Sequence, residues 1–148
     1  MVNAVVTRGR YTGAMTDTPT QAPTQAPATV LPDYAIARAA YARGDYLAAA
    51  RVVAAHLRAG ADGPEIKTDL ALSMEKLGKL DLAEKLLLEA IATGQARPRT
   101  PRALARVLGE TGRSREGLAL VERMLAAGVD ETFLAHPRYD LVADLGDT

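Results

Sequence analysis

The sequence predicts an all-α protein, a short α-solenoid of antiparallel helix pairs, and three observations carry that expectation. Glycines recur at a fixed interval: Gly44, Gly78 and Gly112 lie 34 residues apart, and Gly60, Gly94 and Gly128 repeat the interval. Self-similarity at such a period marks a stack of repeated units. Other positions keep the same register. Ala37, Ala71 and Ala105 each follow a branched aliphatic, Ile36, Leu70 or Leu104. Further along each unit come Ala49, Ala83 and Gly117, then Val53, Leu87 and Val121, then Leu57, Ile91 and Leu125. Within a unit these columns fall at i, i+4 and i+8, one apolar stripe on a helix. Alanine and leucine are abundant and tryptophan is absent, which favours helix over strand.

At 148 residues the chain suffices for one domain or one short array and leaves no room for a second, catalytic domain. Lysine plus arginine number 18 and so do aspartate plus glutamate, so the summed charge exerts no general pull toward nucleic acid or an anionic membrane. Without cysteine there are no disulfides, thiolate nucleophiles or cysteine-based metal sites, and stability must come from packing. The N-terminal segment holds only the apolar run Val2 to Val6, interrupted by Asn3, too weak for a signal-peptide core or a membrane span. A cytoplasmic location is expected. Met15, followed by TDTPTQ, is an alternative start that would make residues 1–14 a tag, an extension or tail.

The elements follow in order. Residues 17–29, DTPTQAPTQAPAT, are polar and proline-punctuated with nothing large to bury, so residues 1–29 are expected to form a disordered tail or linker. The repeat domain should span 30–148, with units at about 30–63, 64–97 and 98–129 and a C-terminal cap over 130–148. Each unit is two helices turned at a glycine, the residue that adopts the left-handed region without a Cβ penalty. In the second unit Asp62 or Gly63 caps, Pro64 opens the first helix to about Leu77, and the second runs from about Leu80 to Thr93. In the third, Thr100 caps, Pro101 opens, Gly112 turns, Ser114 caps the second helix and Gly128 ends it. Gly117 replaces a small alanine and should cost that helix about 1 kcal/mol, making the third unit the softest. Beyond Gly128 the chain begins like another unit and then departs from the period. Pro137 should open a last short helix, with Tyr139, Val142 and Leu145 on one side, that shields the apolar flank of the array and ends at Gly146.

A 34-residue helix–turn–helix unit of this kind, clearest in LSMEKLGKLDLAEKLLLEAI at 72–91, resembles the tetratricopeptide repeat. Leu77, Gly78, Ala83, Ala90 and the run Leu86 to Leu88 carry the likeness, which covers about residues 30–129 as three repeats. Asp33, Lys67 and Pro101 depart from it, standing where the family favours tryptophan, and the ending HPRYDLVADLG looks like the closing helix of other members. The resemblance implies a right-handed superhelical array serving as a non-catalytic adaptor or scaffold. The first helices of successive units would line a concave groove for a partner segment.

Carried over residue by residue, the groove positions are Tyr34, Arg38 and Tyr41 in unit one, Glu65, Thr68, Leu72 and Glu75 in unit two, and Arg99, Arg102 and Arg106 in unit three, with Glu110 at the edge. Arg99, Arg102 and Arg106 fall at i, i+3 and i+7, and Arg97 precedes them. Arginine's planar fork of donors suits carboxylates and phosphates, so a protein or peptide partner with an acidic or carboxylate-terminated segment is expected, Tyr34 and Tyr41 forming an apolar anchor. The alternative is that the arginines are a solvated helix face. The carboxylate-clamp branch of the family is matched poorly, since Tyr34, Arg38, Asp69, Arg99 and Ala103 occupy the equivalent positions.

Chemistry is sparse. The two histidines, His56 and His136, have no partner at a recognisable spacing; His56 reads as a structural neighbour of the core and His136 as a capping or linker residue. No phosphate loop, paired metal ligands or nucleophile elbow occurs, so no enzyme activity, cofactor or metal is expected. Two other functions compete with the adaptor reading. A homo-oligomeric assembly module would use the flanks of the terminal repeats. Nucleic-acid binding along the arginine ridge is disfavoured by the neutral charge and by Glu65 and Glu75 opposite, and no membrane partner is expected.

Overall fold

In a computed structural model the described residues are 30–146, and they form seven helices and no strand. These are α1 (Ala35–Ala42), α2 (Tyr46–Arg58), α3 (Pro64–Lys76), α4 (Leu80–Ala92), α5 (Arg99–Glu110), α6 (Ser114–Ala126) and α7 (Glu131–Gly146). The tail expected over 1–29 lies outside the described residues. Helices pack as neighbouring pairs, α1 with α2, α3 with α4, and α5 with α6. Each later pair rests on the one before, α3 on α2 and α5 on α4, and α7 packs on both α6 and α5. The result is an all-helical array of repeated pairs.

The periodic glycines are the hinges of that array. Gly78, at φ 81°, ends α3: its N–H donates to the Glu75 carbonyl at 3.0 Å and the next, Lys79, to the Met74 carbonyl at 2.8 Å. This pair of bonds satisfies carbonyls that a helix end would otherwise leave orphaned, and it needs a left-handed residue. The alanine and aliphatic columns form the core beneath, with Ala71, Ala83, Leu87, Ala90 and Val53 at 2% exposure or less. A second cluster, of Ala105, Val121, Met124, Leu134 and Leu141, seals the C-terminal end.

Four local expectations are corrected. Thr100 does not cap: α5 starts one residue earlier, and Thr100 is wholly buried, bonded through its hydroxyl to Thr68. Ser114 does not cap α6 either; Arg113 holds that position, and the Ser114 hydroxyl donates instead to Asp144 of α7 at 3.0 Å. Pro137 lies inside α7 and not at its start. Proline there removes the N–H that would bond the carbonyl of Phe133, four residues back, and Arg102 of α5 supplies the missing donor, its Nε 2.9 Å from that oxygen. The fourth correction concerns Gly117. A Cβ at that position would come within 2.8 Å of the Ala105 carbonyl oxygen and 2.9 Å of Leu141 Cδ2, so the glycine is what lets α5, α6 and α7 approach.

The cap is itself in register. Gly146 stands 34 residues after Gly112, so α7 occupies the place of a fourth first helix. It buries Leu134, Pro137 and Leu141. Tyr139 and Val142, expected on the side that shields the array, are 72% and 50% exposed. Tyr139 fills the column held elsewhere by Ala37, Ala71 and Ala105, where a small side chain permits a helix to pack close.

Candidate binding surface

The first helices α1, α3 and α5 bring the sequence-selected residues together on one face, where most of them bind one another. Arg99 of α5 donates through Nε to Glu65 Oε1 at 2.7 Å and through Nη2 to Asp69 Oδ1 at 2.8 Å and the Glu65 carbonyl at 3.0 Å. The other Asp69 oxygen accepts from the Tyr34 hydroxyl at the start of α1. One polar chain thus links all three repeats. Burial alone would push the Glu65 carboxyl up, but the hydrogen bond and charge of Arg99 outweigh it and hold it below the usual range. Burial, then the hydrogen bond to Asp69, push the Tyr34 phenol well up, so it stays a protonated donor.

A second cluster lies two turns along. Arg106 grips Glu75 through both forks, Nε to Oε2 and Nη2 to Oε1, each at 2.7 Å. The Glu75 side chain is only 3% exposed, so this is a bidentate pair largely out of water. Burial raises the Glu75 carboxyl, yet Arg106 wins and it sits below the usual carboxylate range. Its neighbour Glu110 is driven the other way: burial, the hydrogen bond to Glu75 and the charge of Glu75 push it up to about 7. Burial followed by the charge of Glu75 also raises the Tyr41 phenol.

Between these clusters, on the α1 side, the face is open. A hollow of about 300 Å³ lies between α1 and α3. Its floor is Ala37, Ala49 and Val53; Tyr34, Arg38 and Tyr41 stand along one wall, Leu72 and Ser73 along the other, and Asp69 and Arg99 close an end. The walls are fixed. The Tyr34 ring meets His56 edge-on at 5.0 Å, while His56 Nε2 bonds the Pro32 carbonyl at 2.7 Å, and Tyr41 packs edge-on against Tyr46 at 5.1 Å.

The groove residues therefore divide. Tyr34, Arg38, Tyr41, Leu72 and Arg99 line the hollow. Glu65, Glu75, Arg99 and Arg106 are bound in ion pairs between repeats. Thr68 does not line the face at all: it has no exposed surface, and its hydroxyl donates to the Pro64 carbonyl at 2.7 Å. Arg102 is turned to α7, its guanidinium 4.8 Å from the Phe133 ring centre and bonded to the carbonyl of the same residue. Asp69 and Ser73 were not among the expected groove residues. Asp69 could have been found from charge alone, because Glu65 and Asp69 lie at i and i+4 and face the arginines one period later.

Among the described residues no group of three histidine, aspartate or glutamate side chains is placed to hold a metal ion, and no helix is long and apolar enough to cross a membrane. Fold and face together define a helical repeat array with an open hollow on its first-helix side. No known family model matches the chain, and no curated protein matches it at a significant level.

Proposed function

We propose that the chain is a non-catalytic protein-interaction module of the tetratricopeptide kind, a right-handed cytoplasmic array that receives a partner segment on the face made by α1, α3 and α5. The observation that carries this reading is the hollow, an apolar-floored, polar-rimmed concavity of about 300 Å³ whose aromatic walls are already held in place. That size and lining suit a ligand side chain, and a preformed site loses little entropy on binding. The charged groups beside it support a contact surface over acid–base chemistry, since Arg99 and Arg106 are committed to Glu65, Asp69 and Glu75. The test is selection of peptides on the full chain, followed by filling of the hollow with Ala42→Trp at an exposed position on its rim. Loss of peptide binding is expected; binding that survives the tryptophan removes the hollow from the mechanism.

A second reading, self-association, is favoured by Tyr139 and Val142, which leave an apolar strip on α7 where a further helix would pack. It predicts a mass by light scattering that rises with concentration. A constant monomer mass contradicts it.

A further inference from the structure

We propose that the segment received in the hollow carries a large apolar side chain next to an acidic residue, the apolar group lying between Tyr34, Tyr41 and Leu72 and the carboxylate meeting Arg38. The inference rests on the reading of the hollow as the binding point and adds the chemistry of its occupant.

Charge comes first. Of the four arginines on this face, Arg99 and Arg106 already hold carboxylates and Arg102 holds a carbonyl of α7. Arg38 differs: it is exposed, lies 5.7 Å from the Tyr34 ring centre, and has no carboxylate within ion-pair distance among the described residues. A guanidinium resting on an aromatic ring is pre-oriented, and its remaining donors suit a carboxylate. Asp69, the carboxylate that lines the hollow, already faces the Arg99 guanidinium and accepts from the Tyr34 hydroxyl, so it offers a basic ligand less than Arg38 offers an acidic one.

Shape and polarity complete the match. Small side chains at Ala37 and Ala49 open the floor, and about 300 Å³ exceeds what one short aliphatic group would fill, which favours leucine, methionine or phenylalanine. Ser73 lines the hollow at 1% exposure, and its hydroxyl has no hydrogen bond among the described residues. Buried hydroxyls are ordinarily bonded, and a main-chain carbonyl of an inserted segment would satisfy this one. The occupant thus needs an apolar side chain, a peptide acceptor and an adjacent negative charge.

The test is a phage-displayed random heptapeptide library selected on the full chain, with the strongest binders labelled and titrated by fluorescence polarisation. Peptides pairing Asp or Glu with a neighbouring Leu, Met or Phe are expected to be enriched. Arg38→Glu should weaken such a peptide about tenfold, and exchange of its acidic residue for lysine should restore binding to that variant. Position 38 is exposed, and an unchanged far-ultraviolet dichroism spectrum checks that the variant folds. Selected peptides without an acidic residue, or an affinity that Arg38→Glu leaves within twofold, overturn the inference while the groove reading stands. If no peptide is enriched, or Ala42→Trp leaves binding intact, both fail together.

Discussion

The two halves of the first-helix face put equivalent columns to opposite uses. Between α3 and α5 the acidic residues of one repeat meet the arginines of the next, Glu65 and Asp69 with Arg99 and Glu75 with Arg106, and the interface is stitched shut. Between α1 and α3 the polar link among the described residues runs from Tyr34 to Asp69, and the alanines behind it leave a hollow. In a repeat array each unit must first satisfy its neighbour. Charges that find a partner one period away are structural, and Arg38, which has none among the described residues, is the cation left for a ligand.

The largest expected effect breaks the stitched half. Arg106→Ala leaves the nearly buried Glu75 carboxylate without its cation and should cost about 3 kcal/mol, read as a lower midpoint in thermal or urea unfolding. Replacing both partners by leucine should recover most of that loss, since an apolar pair leaves no buried charge. A single-variant cost below about 0.5 kcal/mol would place the pair with weak surface bridges.

Gly117→Ala comes next. Helix propensity alone favours the alanine by about 1 kcal/mol, yet the added methyl would press on the Ala105 carbonyl and on Leu141. Overpacking should prevail, with a net destabilisation of about 1 to 2 kcal/mol by urea unfolding; a stabilised variant would show that α7 yields. Arg102→Ala should cost about 1 kcal/mol by leaving the Phe133 carbonyl unmet beside Pro137. Its signature is local, with faster amide hydrogen exchange in α7 and unchanged exchange in α3.

The smallest effect is one of pH. Glu110 is pushed up to about 7, so its share of stability is complete below its ordinary value of 4.5 and is lost as pH rises through 7. Glu65 and Glu75 are held low, so theirs is present above 4.5 and disappears in acid. Glu110→Gln should flatten the alkaline limb of stability against pH and leave the acid limb in place. Because Glu110 is exposed, the change should be under about 1 kcal/mol.

The fold was legible where the cause is local and repeated. A glycine every 34 residues marks a left-handed helix end, and the bonds around Gly78 and Gly112 close in the same pattern. What escaped was set by distant contact. Gly117 looks like a propensity defect until α7 is seen to need the space, and Pro137 looks like a helix start until Arg102, 35 residues earlier, supplies the lost donor. The face was half legible for the same reason. The spacing of Arg99, Arg102 and Arg106 gave a ridge, but on one helix alone it does not show that Glu65, Asp69, Glu75 and the Phe133 carbonyl already occupy it. Tyr34 and Tyr41, with no charge to neutralise, were the better guide to open space.

The most direct test of the division between stitched and open halves is an amide chemical-shift footprint of the full chain on titration with the strongest selected peptide. Shifts should concentrate in α1 and around Leu72 and Ser73 while the amides of Arg102 to Arg106 stay still. A footprint centred on Arg102 and Arg106 would contradict the account and return the arginine ridge to the role of ligand site.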